Sequence, residues 1–406
     1  MIISGIAAEY NPFHLGHAYH IAETKRVTGS DAVIIAMSGN FVQRGLPAII
    51  DKKERTKMAL LNGADIVFEL PCLYSLSSAE FFALGAVSLF DSLGCVNYMS
   101  FGSEVDDINS LKSAAEILCF ESEDFSKSIK KHLSTGISYP SARRHALSET
   151  LPAKLPLNFD NILSSPNNIL GIEYCKQILK LNSSIKPITI NRFGSKYHET
   201  NLNENFPSAT SIRNYLLEST NIEKLKNQLP ISVYKIIISL INNGYDFAKE
   251  DKIVEYLNYK KNCMDYNGTY IQNLPDISEG LHNRIAKNIS SFKKYNEIIK
   301  DIKTKRYTYS RISRILCQYF IGFDNFNTKL LRSLPCPYAR ILGFTSIGAS
   351  ILKEMKKSTT IPLFSKLPKD KNEVLELELQ ASRAYSLVNF SINPLDDFVT
   401  YPIIID

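Results

Sequence analysis

Four short apolar runs, at residues 2–8, 32–37, 65–70 and 96–101, fall within the first hundred residues, and each has helix-forming sequence after it or before the next run. The run at 32–37 reads AVIIAM, with no polar residue on either alternate set. A strand apolar at every position is buried on both faces, and strands of that kind separated by helices build a parallel sheet covered on both sides. The intervening helices are expected at 15–28, 52–62 (with Asp51 as its N-cap and Gly63 after it) and 78–93, followed by Gly94. A fifth strand is expected at 187–193, after a helix running from Ser165-Pro166 to about 181, and a short helix follows at 211–218. Parallel sheets of this type bind ligands beyond the carboxyl ends of their strands. The loops after Ala8, Met37, Leu70, Phe101 and Phe193 are therefore the places to look for chemistry.

After residue 220 the pattern changes to helices, expected at 231–242, 251–257, 278–302, 309–322, 341–357 and 373–387, with a strand possible near the start of 341–357. Residues 258–276, rich in Asn and Tyr, read as a loop, and 121–150 as a helical insertion in the first domain. The expected fold is α/β, a Rossmann-like parallel sheet with helices on both faces, followed by a mainly α-helical C-terminal region. The expected division is 1–220 and 221–406.

Charge separates the same two parts. The chain of 406 residues carries a net +6. Residues 1–220 hold 20 Lys and Arg against 22 Asp and Glu, and residues 221–406 hold 27 against 19. One stretch, 284–314, holds ten basic and two acidic residues, equal to the whole excess of its half. Such asymmetry points to a polyanion partner for the second part. The N-terminus lacks the basic region and cleavage site of a signal peptide, and the apolar stretch 66–90 is broken by Glu69, Pro71 and Glu80, which argues against a membrane span. Seven scattered cysteines without Cys-x-x-Cys fit neither a disulfide framework nor a thiolate zinc site. A cytoplasmic protein is expected.

The most informative segment joins the first strand to the first helix: Glu9-Tyr10-Asn11-Pro12-Phe13-His14-Leu15-Gly16-His17. Unpaired backbone N–H groups and the helix dipole favour an anion at such a helix start. His14 and His17 add two imidazole donors, and Gly16 lets a ligand approach the backbone. His14, His17 and His20 share a spacing of three, but no carboxylate completes a metal pattern, so no metal site is assigned. A second segment, Ser208-Ala209-Thr210-Ser211-Ile212-Arg213, opens a helix after the fifth strand. Its hydroxyls and Arg213 suit phosphate oxygens. His-x-Gly-His after an initial strand, followed by Ser-x-Thr-x-x-Arg, resembles the signature of the nucleotidyltransferase superfamily and the class I aminoacyl-tRNA synthetases. There the histidines contact ATP phosphates and stabilise departing pyrophosphate.

Longer strings narrow the resemblance. They are residues 8–14, Met37-Ser38-Gly39-Asn40-Phe41-Val42-Gln43-Arg44-Gly45, Asn62-Gly63-Ala64-Asp65, Glu69-Leu70-Pro71, Phe101-Gly102-Ser103-Glu104, Ser165-Pro166-Asn167-Asn168-Ile169-Leu170-Gly171 and Lys305-Arg306-Tyr307-Thr308. From residue 1 to about 350 the chain resembles the tRNA(Met) cytidine acetate ligase family of bacteria. Ala8 stands where Val is common. The resemblance implies that acetate attacks the α-phosphate of ATP to give acetyl-adenylate and pyrophosphate. The acetyl group then passes to the exocyclic amine of the wobble cytidine of elongator tRNA(Met). It implies Mg²⁺ held through the triphosphate and no acetyl-CoA. It assigns catalysis to His14 and His17. ATP contacts fall to Ala7, Ala8, Glu9, Tyr10, Asn11, Pro12, Phe13, His14, Leu15, Gly16, His17 and His20, then Gly102, Asn167, Arg192, Phe193, Ser208, Thr210, Ser211 and Arg213. Gln43 and Arg44 receive no role.

The basic stretch supplies the expected tRNA contacts: Arg284, Lys287, Lys293, Lys294, Lys305, Arg306, Arg311 and Arg314. Clustered Lys and Arg bind phosphates in a salt-dependent way, and the interleaved Tyr295, Tyr307 and Tyr309 could stack on unpaired bases. Two other readings compete. A small-molecule adenylyltransferase would share both phosphate motifs but need no large basic region, and a non-catalytic RNA-binding protein would not need intact His14, Gly16, His17 and Arg213. Nothing in the residues sets an oligomeric state.

Overall fold

The chain is described by a computed structural model covering residues 1–104, 107–150, 165–191, 208–219, 222–278, 280–289 and 294–406. Its centre is one eight-stranded sheet. In chain order the strands among the described residues are β1 (Ile3–Ala8), β2 (Ala32–Ser38), β3 (Phe41–Val42), β4 (Leu46–Pro47), β5 (Ile66–Leu70), β6 (Tyr98–Ser103), β7 (Lys186–Asn191), β8 (Ala339–Thr345), β9 (Leu363–Phe364) and β10 (Ile403–Ile405). Spatial order in the sheet is β10-β8-β5-β2-β1-β6-β7, with β9 also on β8, while β3 and β4 form a separate antiparallel hairpin.

The five strands β5-β2-β1-β6-β7 are parallel and correspond to the five expected from apolar runs. Counted along the chain they lie in the order 3-2-1-4-5, so the direction of winding reverses between β1 and β6. A crevice opens at the carboxyl ends of the strands flanking such a reversal. The core accounts for the apolar runs. Ala32, Ile34 and Ala36 of β2 belong to one buried cluster, and Val33, Ile35 and Met37 to the other across the sheet. Each of these side chains is inaccessible to solvent. Burying one large aliphatic side chain contributes about 1.5–3 kcal/mol, so β2 alone anchors both layers.

Local signals set the helix limits. His14 caps the helix Leu15–Thr28, and Gly29, at φ 63°, ends it in the left-handed region. Asp51 caps Lys52–Leu60 by accepting from the N–H groups of Lys53 (2.8 Å) and Glu54 (3.2 Å). Gly94 ends Ala79–Leu93 in the same left-handed manner as Gly29. The 121–150 region is a pair of packed helices, Glu123–Ser134 and Tyr139–Thr150.

Several details differ from the sequence reading. The sheet draws strands from both sides of residue 220: β8 lies antiparallel on β5, and β10 lies parallel on β8. The expected helix at 341–357 is therefore β8 followed by Ser346–Ser358, where Thr345 Oγ1 accepts from Gly348 N–H and caps the helix. Residues 258–276, read as a loop, include the helical turns Lys260–Met264 and Thr269–Gln272. Helix 278–302 is two helices, Leu281–Ile289 and Tyr295–Ile302. The fifth strand is seen as Lys186–Asn191; residues 192 and 193 lie outside the described residues. All seven cysteines are free thiols. Among the described residues no helix is long and apolar enough to cross a membrane.

Candidate active site

A cavity of about 260 Å³ opens at the carboxyl ends of β1 and β6, at the point where the winding reverses. Its wall brings together Ala7, Ala8, Glu9, Tyr10, His14, Gly16, His17 and His20 from the first motif, Gly102 and Asn167 from the middle of the chain, and Ser208, Thr210 and Arg213 from the second motif.

The histidines are held by the start of their own helix. His14 Nδ1 accepts from Gly16 N–H at 3.0 Å, and His17 Nδ1 accepts from His14 N–H at 3.2 Å. This reciprocal cap satisfies two backbone donors that a helix start otherwise leaves open. It also places the proton of each neutral imidazole on Nε2, so each ring donates through that edge. The rings stack with centroids 3.8 Å apart. Gly16 is required by this packing: a Cβ there would sit 2.9 Å from His14 Cε1. Tyr10, at φ 47°, turns the chain between strand and helix, and its ring meets His17 edge-on with centroids 4.9 Å apart.

The second motif reaches the first directly. Arg213 Nη1 donates to the carbonyl of Asn11 at 2.7 Å, and its Nη2 to Thr210 Oγ1 at 3.0 Å. Arg44 Nη1 approaches the same hydroxyl at 3.4 Å. Ser208 caps its helix by accepting from Ser211 N–H at 3.0 Å. Two helix starts, two imidazoles and two guanidinium groups thus face one crevice. That donor set matches a polyphosphate. His20 Nε2 pairs with Ser100 Oγ at 3.0 Å, and the Asn167 amide pairs with Glu104.

Other expected contacts sit behind the wall. Asn11 Oδ1 accepts from Ile49 N–H at 2.8 Å, and Phe13 is fully buried against Tyr10 and His17. Pro12, Leu15 and Ser211 do not line the cavity either. Arg192 and Phe193 lie outside the described residues.

Three neighbours without an assigned role complete the site. Gln43 and Arg44, in the β3–β4 hairpin, line the cavity, and Gln43 N–H donates to Glu9 Oε1 at 3.0 Å. Arg55 is wholly buried. It donates to the carbonyls of Ile50 (2.8 Å), Glu9 (2.6 Å), Ser38 (3.1 Å) and Gly39, tying together the ends of β1 and β2. Burial pulls its pKa below the ordinary guanidinium value. In sequence Arg55 stands among Lys52, Lys53, Glu54 and Lys57, a pattern that reads as a solvated helix face and gives no signal of this role.

The basic stretch divides. Lys287, Lys294, Lys305 and Arg306 are exposed. Arg284 is exposed but donates to the carbonyls of Ile302 (3.3 Å) and Asp301 (3.2 Å). Arg311 binds the Asp276 carbonyl at 2.8 Å and Ser278 Oγ at 2.7 Å. Arg314 pairs with the Asp276 carboxylate at 3.4 Å, opposite Arg332 at 2.7 Å. Burial opposes that carboxylate's charge, and the two arginines outweigh it, holding its pKa low. Lys293 lies outside the described residues. The tyrosines correct the stacking expectation: Tyr295 is 0% exposed and Tyr307 6%, and both are core residues. Tyr259, Tyr266 and Tyr270, before the basic stretch, are exposed instead.

The fold and site define a nucleotidyltransferase. A profile of HIGH nucleotidyl transferases matches residues 1–396. The tRNA(Met) cytidine acetate ligase of Clostridium kluyveri (strain NBRC 12016) is 50% identical over the full length of both chains. That of Clostridium novyi (strain NT) is 48% identical over 99% of each. Crystal structures of Thermotoga maritima TmcAL superpose over the full length of both chains at 32% identity, with TM-scores of 0.90 for the apo form and 0.89 for the form bound with alpha-thio ATP. The chain belongs to the HIGH nucleotidyl transferases and, among them, to the tRNA(Met) cytidine acetate ligase family. It is an enzyme of the ligase class.

Proposed function

We propose that the protein activates acetate with ATP and transfers the acetyl group to the exocyclic amine of the wobble cytidine of elongator tRNA(Met). The observation that carries this reading is the stacked His14–His17 pair at one helix start, facing Thr210 and Arg213 at another. The triphosphate lies between these two helix starts. In the first step a carboxylate oxygen of acetate attacks the α-phosphorus, and the bond to pyrophosphate breaks. His14 and His17, donating through Nε2, and Arg213 carry the charge that develops on the departing pyrophosphate. In the second step the cytidine amine attacks the acyl carbon, AMP leaves with the acyl–oxygen electron pair, and the amine loses a proton. The first step needs positioning and charge stabilisation, not a covalent nucleophile on the protein.

Among the described residues no group of three or more His, Cys, Asp or Glu is placed to hold a metal ion. The phosphate donors of this site are compatible with Mg²⁺ carried on ATP itself. Acetyl-CoA has no part in the scheme. Residues 1–220 supply the ATP site. Within residues 221–406, Lys287, Lys294, Lys305 and Arg306 meet the tRNA backbone, and the reaction takes place in the cytoplasm. Purified protein incubated with ATP, acetate and tRNA(Met) transcript is expected to yield N4-acetylcytidine at the wobble position by nucleoside mass spectrometry. Pyrophosphate exchange that depends on a phosphate-bearing small molecule in place of acetate would instead establish a small-molecule adenylyltransferase.

A further inference from the structure

Arg44 enters the cavity wall from the β3–β4 hairpin, outside both sequence motifs. Its Nη1 lies 3.4 Å from Thr210 Oγ1, the hydroxyl that Arg213 Nη2 meets at 3.0 Å. Among the described residues that line the cavity, Arg44 and Arg213 are the only lysine or arginine side chains. The wall is therefore most cationic at the hydroxyl they share. A guanidinium group only donates, so Thr210 receives from both and its own proton remains to be given. Among the described residues that proton meets no acceptor, and Thr210 is half-buried in the cavity wall. Two guanidinium groups and a hydroxyl donor converging in this way fit the oxygens of a phosphate group.

The backbone of Arg44 is held on both sides. Gln43 N–H donates to Glu9, the one carboxylate of the wall, and Gly45 N–H closes the hairpin on the Val42 carbonyl at 2.9 Å. The Gly45 carbonyl accepts from Tyr295 and Ser313, both buried. A donor carried on a turn fixed in this way needs little reorganisation when negative charge develops beside it.

We infer that Arg44 is a catalytic residue of the adenylation step, binding the departing pyrophosphate together with Thr210 and Arg213, and that Tyr295 and Ser313 are its positioning residues. The inference rests on the acetate-activating reading above. In that step the bond from an acetate oxygen to the α-phosphorus forms. The bond from the α-phosphorus to the bridging oxygen breaks, and its electron pair leaves with pyrophosphate. Arg44 meets that growing charge and stays protonated, so no proton moves. Arg213 spends Nη1 on the Asn11 carbonyl at 2.7 Å, which leaves a second cation with work to do. Once pyrophosphate has gone, Arg44 has no part in acyl transfer to the cytidine amine. The two steps therefore separate its role from a contact to tRNA.

The test measures acetate-dependent ATP–pyrophosphate exchange, and separately single-turnover transfer from supplied acetyl-adenylate to tRNA(Met). Arg44→Met is expected to lower kcat for exchange by about 10²-fold and to raise the KM for pyrophosphate by about ten-fold, with transfer within about two-fold of wild type. Arg44→Lys, which keeps the charge but not the planar fork, is expected to recover part of the exchange. Tyr295→Phe combined with Ser313→Ala is expected to lower exchange by about ten-fold in the wild type and to add nothing in the Arg44→Met background. Exchange by Arg44→Met within about three-fold of wild type overturns the assignment, as does an equal loss of transfer, which a structural or tRNA-contacting role predicts. Additive losses overturn the positioning role of Tyr295 and Ser313. A wild-type protein with no acetate-dependent exchange overturns the parent reading, whereas wild-type exchange that Arg44→Met leaves intact overturns this inference alone.

Discussion

Ser313 Oγ donates a hydrogen bond of 2.8 Å to the carbonyl oxygen of Gly45, across 268 residues of chain. The hydroxyl of the buried Tyr295 reaches the same oxygen at 3.1 Å. The hairpin carrying Gln43 and Arg44 into the cavity is thus clasped at its tip by the helices Tyr295–Ile302 and Tyr309–Ile321, which also carry part of the basic stretch. The ATP site and the basic region meet at this turn.

Gly45 lies at φ 81°, and a Cβ there would come within 2.2 Å of the Arg314 backbone nitrogen. Gly45→Ala combines backbone strain with a clash that no side-chain rotation relieves. It is expected to destabilise the protein by more than about 1 kcal/mol in urea unfolding and to lower adenylation through displaced Gln43 and Arg44. Ser313→Ala, which removes one of two donors, is expected to cost about 1 kcal/mol or less.

His14→Ala or His17→Ala removes an Nε2 donor from the phosphate cradle. Each is expected to lower the rate of pyrophosphate exchange by about 10²–10³-fold, the usual cost of one donor aimed at developing charge. Filter binding should leave tRNA affinity within about two-fold, because both rings lie in the cavity and not on the basic surface. Equal loss of both activities would contradict the division of labour.

Lys305 and Arg306 are exposed at the turn before the helix Tyr309–Ile321. Replacing both by Gln is expected to weaken tRNA binding and to reduce the slope of log K against log salt by about 1.5, with acetate activation intact. Arg311 and Arg314 are bound to Asp276, so replacing them should instead show as a loss of stability.

Arg55→Met would leave the carbonyls of Glu9, Ser38, Gly39 and Ile50 without their donor. Each unsatisfied buried group costs about 1–3 kcal/mol. The variant should be destabilised by about 3 kcal/mol or more, measured by chemical unfolding, and by more than Arg55→Lys, which keeps one charge and some of the bonds.

A buried cluster joins the far end of the chain to the sheet. Lys52 Nζ lies 2.6 Å from Glu69 and 2.9 Å from Asp397, and Arg340 pairs with both carboxylates at 2.9 Å. Glu378 lies beside them and accepts from Cys72 N–H at 2.5 Å. Burial, then the charge of Glu69, pushes its pKa up to about 8. The folded state then keeps a proton that the unfolded state has already lost above pH 4.5. The stabilising contribution of Glu378 is full below that pH and declines as pH rises to 8, at up to about 1.4 kcal/mol per pH unit. Glu378→Gln mimics the protonated form. Its melting temperature relative to wild type should rise with pH across this window, and a flat difference would contradict the assignment.

The parallel strands were legible because burial on both faces leaves an unbroken apolar run, as in AVIIAM at 32–37. β8 and β10 were less so. Gly343 interrupts β8, which passes into a helix at Thr345 without a break, and β10 has only three residues. The helix Ile108–Cys119 went unread although Leu111, Ala114, Ala115 and Leu118 carry its buried face at helical spacing. Within the site, the histidines were legible because their geometry is made within four residues. Arg55 and Gln43 act through contacts that exist only once β1, β2 and the hairpin have come together. Tyr295 and Tyr307 look in sequence like stacking residues of a basic surface, and only tertiary packing reveals them as core.

The claim that acetate reacts through an adenylate is tested most directly with acetate labelled at both oxygens with ¹⁸O. Attack on the α-phosphorus followed by acyl transfer should leave one label in AMP and the other in the acetyl carbonyl of the modified cytidine, each two mass units heavier, with pyrophosphate as the other product. Unlabelled AMP, or formation of ADP and phosphate, would contradict the account.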